Sequence, residues 1–88
     1  MRVLFVCSGN AHRSPLAEAL LRKAKPDWTV DSAGIHVAIP IADEIKEFLR
    51  RENAEQYLKN SPESLGGKKL GDYDVIVAME ERHKDYVL

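Results

Sequence analysis

Residues Arg2 to Cys7 (RVLFVC) form an unbroken run of apolar, β-branched and aromatic side chains after the first arginine, and the run ends abruptly in Ser8-Gly9-Asn10. A strand with one wet face would alternate apolar and polar residues. A continuous run fits a strand covered on both faces, as in a parallel sheet. Ser8 to Arg13 then reads as a loop. Ser14-Pro15 opens a helix, with Ser14 placed to cap it and Pro15 at its first position. Leu16, Ala17, Leu20, Leu21 and Ala24 recur at helical spacing, Glu18 and Arg22 make an i,i+4 pair on the expected wet side, and Pro26 stops the helix.

The strand–loop–helix unit repeats more loosely downstream. Trp28 to Val30 reads as a short second strand, and Asp31-Ser32-Ala33-Gly34 as the turn after it. Ile41, Ala42, Ile45, Phe48 and Leu49 mark an amphipathic helix running to about Arg51 or Glu52. Ser61-Pro62-Glu63 signals the cap of one short helical turn ended by Gly66-Gly67. Asp74 to Met79 is a second buried strand, and the acids that follow suit the first turn of a helix over Glu80 to Leu88. The order β-α-β-α-(α)-β-α predicts a three-layer α/β/α domain: a short parallel sheet with helices on both faces.

Composition narrows the function classes. Thirteen Lys and Arg stand against fourteen Asp and Glu, for a net charge of −1. That balance argues against nucleic acid and membrane surfaces as partners. One Cys in 88 residues leaves no internal disulfide framework and no Cys-rich metal site. Val3 to Cys7 is too short for a signal-peptide core, and no apolar run reaches the length of a membrane span. The expectation is a cytoplasmic domain with Cys7 as its most informative residue.

The chemistry concentrates in Cys7-Ser8-Gly9-Asn10-Ala11-His12-Arg13-Ser14. A loop wrapped around a tetrahedral oxyanion points successive backbone N–H groups inward, and Gly9 supplies freedom for that. Asn10 tolerates left-handed backbone angles and can pin the loop with its side chain. The helix opening at Ser14 adds positive potential, and Arg13 offers a planar fork to two phosphate oxygens. The same surroundings favour a Cys7 thiolate at neutral pH, and the Ser14 hydroxyl can donate to it. Together these groups suit nucleophilic attack on a bound phosphorus. The competing reading makes Cys7 a small core residue and Arg13 a surface charge. The position of the motif, between strand and helix, favours the first.

VLFVCSGNAHRSPLAEALLRK closely resembles the signature of the low-molecular-weight protein tyrosine phosphatases. DSAGIH resembles the end of that family's second strand, and DYDVIVAMEERH its third strand and following helix start. The resemblance implies parallel strand order 2-1-3-4 and a phosphocysteine intermediate. By position, Cys7 would be the nucleophile, Arg13 the phosphate clamp, and Ser8, Gly9, Asn10, Ala11, His12, Arg13 and Ser14 the cradle. Asn10 and Ser14 match the family's loop-organising residues, and Ser32 matches the serine that braces Asn10. His36 falls where the family lines the pocket mouth; plain surface loop is the other reading. The resemblance implies no metal and no organic cofactor. Thioredoxin-coupled arsenate reductases share the scaffold but need two further cysteines, so that branch is not expected.

Three departures from the family pattern qualify the reading. The family's general acid is an Asp in a late Asp-Pro segment beyond the third strand, which this sequence does not reach; Asp43 and Asp85 stand in the wrong context to replace it. His12 stands where many members carry a second Cys, either adjusting the charge of the loop or pointing away from it. Lys59-Asn60-Ser61 stands where the family often has a His. The expectation is therefore one phosphatase-like domain over residues 1–88, with sheet order 2-1-3, without the fourth strand and last helix. It should hydrolyse a phosphomonoester, foremost protein phosphotyrosine, with impaired acid catalysis. Arginine phosphate and small phosphomonoesters stay open as substrates, with phosphate and vanadate as ligands. The alternatives are a non-catalytic oxyanion- or phosphopeptide-binding module, or a fragment of a longer phosphatase. An uncovered sheet edge predicts self-association. Gly66-Gly67-Lys68-Lys69 reads as a turn with solvated lysines, and His83 as a solvated helix residue.

Overall fold

The structure, a computed structural model, describes residues 1–79. Three parallel strands form one sheet: β1 (Arg2–Cys7), β2 (Thr29–Gly34) and β3 (Val75–Ala78), in the order β2-β1-β3. The most continuously apolar segment takes the central place, where both edges are paired and both faces covered. Register sets Val3 beside Val30 and Val75, and Cys7 beside Gly34 at the carboxyl end of the sheet. Helices α1 (Arg13–Ala24) and α2 (Asp43–Arg51) follow β1 and β2, and 3-10 turns occupy Glu55–Tyr57, Leu65–Gly67 and Leu70–Asp72.

Alternation along β1 sends Leu4 and Val6 to one face, where they pack with Ala33 against Ile35, Leu65, Leu70, Tyr73 and Ile76. α1 covers the other face. A second cluster joins α1 to α2: Ala19, Leu49 and Ala54 are buried, with Leu16, Ile45, Tyr57 and Leu58 around them. Among the described residues, the first face is thus covered by the two 3-10 turns over 65–72 rather than by a helix. The helix expected from Glu80, with His83 and Asp85, lies outside the described residues.

Five local expectations are corrected. β2 does not turn at Asp31; it stays in register with β1 to Gly34, because paired backbone outweighs the turn-like composition of Asp31-Ser32-Ala33-Gly34. α1 begins at Arg13 with His12 at its cap position, and Ser14 lies inside the first turn with its hydroxyl turned to the loop. α1 is also rotated from its apolar reading. Pro15, Glu18 and Ala19 are buried while Leu20 is exposed, so Glu18 is not on the wet side although its pair with Arg22 forms at 3.2 Å. Finally, the short turn after Ser61 is capped by Ser64, which accepts from the Gly66 N–H, and Lys68 is not solvated but held by Asp31 and Glu63.

One backbone contact joins sheet and loop. A Cβ built on Gly34 would lie 2.7 Å from the Gly9 carbonyl carbon and 2.8 Å from the Asn10 nitrogen. The loop after β1 therefore rests directly on the end of β2, and only a residue without a side chain fits beneath it. Gly34→Ala is expected to destabilise the fold by about 1–3 kcal/mol through forced displacement of that backbone. Gly71→Ala, with nothing within 4 Å of its Cβ, should stay within about 0.5 kcal/mol. Urea unfolding of both variants decides this; equal midpoints would refute the packing claim.

Candidate active site

β1 delivers Cys7 to the end of the sheet, and the next residues curl over Gly34 into α1. The cavity inside this curl has a volume of about 320 Å³ and is lined by Cys7, Ser8, Gly9, Ala11, His12, Arg13 and Ile39. Cys7 is buried at its floor. Its sulfur accepts from the Asn10 backbone N–H at 3.2 Å and lies 2.8 Å from Ser14 Oγ. Asn10 Nδ2 donates to Ser14 Oγ at 2.8 Å, which leaves the serine proton free to point at the sulfur. Two donors thus face Sγ. The first turn of α1 sits at the end of the loop, where the helix dipole is positive.

Beneath the cavity lies a polar layer. Asn10 is fully buried, with φ 55° in the left-handed region expected for it. Its amide nitrogen donates to Ser14 Oγ and, at 2.9 Å, to Ser32 Oγ; its oxygen accepts from Lys59 Nζ at 3.0 Å and the Glu63 N–H at 2.7 Å. Ser32 Oγ in turn donates to Glu18 Oε1 at 2.7 Å. Lys59 also donates to the Ser32 carbonyl at 2.7 Å and pairs with Glu63 at 3.0 Å. Among the described residues, no buried side-chain nitrogen or oxygen lacks a partner.

Burial pushes the Glu18 carboxyl above its ordinary value; the Ser32 hydrogen bond and Lys59 work against that without cancelling it. Burial also acts on Asp31 and Glu63, but Lys68, with Tyr73 at Asp31 and Lys59 at Glu63, holds both below their ordinary values. Lys68 is raised: burial pulls it down, and its bonds to Asp31 and Glu63 outweigh that. Burial and the hydrogen bond to Asp31 raise Tyr73.

The rim is stitched to the loop by backbone. Ile35 N–H donates to the Cys7 carbonyl at 3.2 Å, His36 N–H to the Ser8 carbonyl at 2.8 Å, and Ala42 N–H to the Ala11 carbonyl at 3.0 Å. His12 lines the cavity and its Nε2 lies 3.0 Å from Glu44 Oε1. The His36 side chain does not line this cavity. It borders a neighbouring cleft with Ile35, Leu65, Gly66, Lys68 and Leu70, while the exposed Ile39 forms the outer wall. Ser32 lies below the loop, not in the cavity, bonded to Asn10. Among the described residues no three His, Cys, Asp or Glu side chains converge to hold a metal ion, and no helix is long and apolar enough to cross a membrane.

The sequence reading gives Ile39 no role, sets Glu18 on the wet side of the helix, and notes Lys59 only as standing where the family often has a His. Glu18 had an available signal: it lies four residues beyond Ser14, on the helix face already assigned to the loop. Lys59 and Ile39 sit in irregular segments whose spacing predicts no direction.

A family model described as low molecular weight phosphotyrosine protein phosphatase matches residues 2–88. The probable low molecular weight protein-tyrosine-phosphatase AmsI of Erwinia amylovora is 34% identical over 86 residues, covering 97% of this chain and 60% of AmsI. The low molecular weight protein tyrosine phosphatase of T. tengcongensis superposes with a TM-score of 0.84 at 35% identity, over 97% of this chain and 62% of that one. The YwlE arginine phosphatase of Geobacillus stearothermophilus gives 0.84 at 32% identity, over 98% and 56%. The chain spans 55–60% of the length of the curated relatives it matches.

The Glu18 shift has a consequence for stability. The fold binds the Glu18 proton more tightly than the unfolded chain, so this group favours the fold below its ordinary value of 4.5 and its contribution declines as pH rises through the raised value. Asp31 and Glu63 act oppositely, losing their contribution as pH falls through their lowered values. Compared with Glu18→Gln, the native chain should therefore lose stability as pH rises above 4.5. Urea unfolding between pH 4.5 and 8 checks this. A difference that does not change with pH would count against a raised Glu18.

Proposed function

The chain belongs to the low molecular weight phosphotyrosine protein phosphatase family, and from that membership and the geometry of the loop we propose that it binds a phosphomonoester in the Cys7–Arg13 loop and hydrolyses it through Cys7. The observation that carries this reading is the sulfur of Cys7 at the floor of the cavity, facing the Asn10 N–H and the Ser14 hydroxyl, with Arg13 in the wall. In the first step the Cys7 sulfur attacks phosphorus, the S–P bond forms, and the P–O bond to the alcohol or phenol breaks with the electron pair leaving on oxygen. In the second, water attacks the phosphocysteine, releasing phosphate and returning the electron pair to sulfur, where the Ser14 hydroxyl donates. Arg13 and the loop amides stabilise charge on the transferring oxygens.

Protein phosphotyrosine is the leading substrate. Ala11 and Ile39 add apolar wall beside Arg13, which suits an aryl phosphate. The reading treats the 88 residues as one domain acting in the cytoplasm without metal or organic cofactor. Among the described residues no carboxylate lines the cavity, so leaving-group protonation has no carboxylic acid donor there. General-acid help is worth about 10²–10⁴ in rate. That observation also favours a second reading, a module that holds an oxyanion without turnover.

Turnover of p-nitrophenyl phosphate should be detectable, inhibited by vanadate and reduced to background in Cys7→Ser. Phenyl phosphate, with its more basic leaving group, should react far more slowly. Equal rates for native protein and Cys7→Ser would sink the enzymatic reading, and calorimetric vanadate binding without turnover would select the module. Phosphotyrosine and phosphoarginine peptides assayed side by side separate the substrate classes. We also propose self-association through β3, whose second edge carries no strand among the described residues and exposes Val75. Sedimentation velocity at tens of micromolar should show a dimer or larger; a monomer refutes it.

A further inference from the structure

Resting on the phosphate-loop reading above, we propose that Lys59 is a positioning residue for that loop, its buried ammonium holding Asn10 and Ser32 from below so that the loop keeps the curvature an oxyanion requires. The Lys59 side chain is only 6% exposed. A buried ammonium is costly and persists only where its donors are used. Here Nζ lies 2.7 Å from the Ser32 carbonyl, 3.0 Å from Asn10 Oδ1 and 3.1 Å from Ser32 Oγ. Neither Asn10 nor Ser32 has a free lone pair or proton to spare, because each also bonds elsewhere in the layer.

A simpler role would be to neutralise the buried Glu18. Distance decides against that as the whole account. Glu18 Oε1 is 3.7 Å from Nζ, beyond hydrogen-bond reach and farther than any of the loop contacts. The segment carrying Lys59 aims at the same target twice: Glu63, four residues on, presents its backbone N–H to the Asn10 oxygen that Lys59 also contacts. Glu63 closes the arrangement by pairing with Lys59 at 3.0 Å and with Lys68, which reaches Asp31 on β2 at 2.8 Å. Lys59 thus ties the floor of the loop to the sheet through charged bonds, which are stronger than neutral ones. Its effect passes through Asn10 to Ser14 and the Cys7 sulfur.

Orthovanadate affinity of the full chain, measured by calorimetry beside thermal unfolding, tests this. The informative variant is Glu18→Gln with Lys59→Met, which removes both buried charges together and avoids stranding a carboxylate. If Lys59 positions the loop, this folded double variant should bind vanadate at least tenfold more weakly than the native chain. If Lys59 only neutralises Glu18, the double variant binds as the native chain does, and the proposal is overturned. Native protein that binds no vanadate removes the phosphate-loop reading itself, before any variant is made, and this proposal with it. Should the double variant fail to unfold cooperatively, the native chain labelled with 15N-lysine supplies the readout. A slowly exchanging Lys59 ammonium signal supports the proposal, and exchange as fast as that of solvated lysines overturns it.

Discussion

The side chain of Asn10 is the contact on which the rest of this site depends. A buried carboxamide has two donor hydrogens and an oxygen with two lone pairs, and leaving one unmade costs about 1–3 kcal/mol. At Asn10 each is used, by Ser14, Ser32, Lys59 and the Glu63 backbone. Those four partners come from α1, β2 and the segment between the 3-10 turns, so one amide joins three parts of the chain. Its left-handed backbone then bends the loop back on itself, and its own N–H meets the Cys7 sulfur. The shape of the loop and the surroundings of the Cys7 sulfur follow from the same residue. Gly34 below completes the constraint, because the bent loop can descend onto β2 only where no side chain stands.

A polar layer of this kind is stable only when it is fully connected. Glu18, 2% exposed, would be a poor core residue on its own. It is held by the Ser32 hydroxyl, by Arg22 at the helix surface and by the more distant Lys59. Replacing a buried ion pair by apolar groups is often neutral or stabilising elsewhere. Here it would leave Ser32 without an acceptor and Asn10 without one of its donors, so the pair is bound to the requirements of the loop. Outside this layer Lys68, Asp31, Glu63 and Tyr73 form a more solvated ring that fixes the strand end without being buried with it.

The elements with a strong period were legible. β1 and β3 stand within a residue or two of their sequence reading, and the loop from Cys7 to Ser14 was assigned its place between strand and helix. Errors arose where two signals competed. Asp31 to Gly34 has turn composition, but pairing along β1 carries the strand through it. Leu20 and Ala24 fit an apolar stripe on α1, yet the helix turns Ser14 and Glu18 inward because their polar atoms have partners beneath the loop. Hydrophobic periodicity ranks residues by water avoidance and is blind to that compensation. Lys59 is the limiting case: a lysine in an irregular segment has no period at all, and its direction is set by acceptors that come from residues 10, 32 and 63.

That separation also explains why the charge of the site cannot be read from its eight-residue motif alone. The motif contributes Arg13 and a helix N-terminus, both favouring an anion, while α1 places the Glu18 carboxylate in the same buried layer, opposing one. Low dielectric strengthens both effects. The net potential at the cavity therefore depends on Lys59 and Arg22, which offset Glu18 from two sides. Of these, Arg22 is half exposed and screened by solvent, whereas Lys59 acts from within. A loop of inward N–H groups built over a buried carboxylate thus has a buried cation beside it, and the segment at 59–63, far from the motif in sequence, is bonded into the same layer as the loop itself.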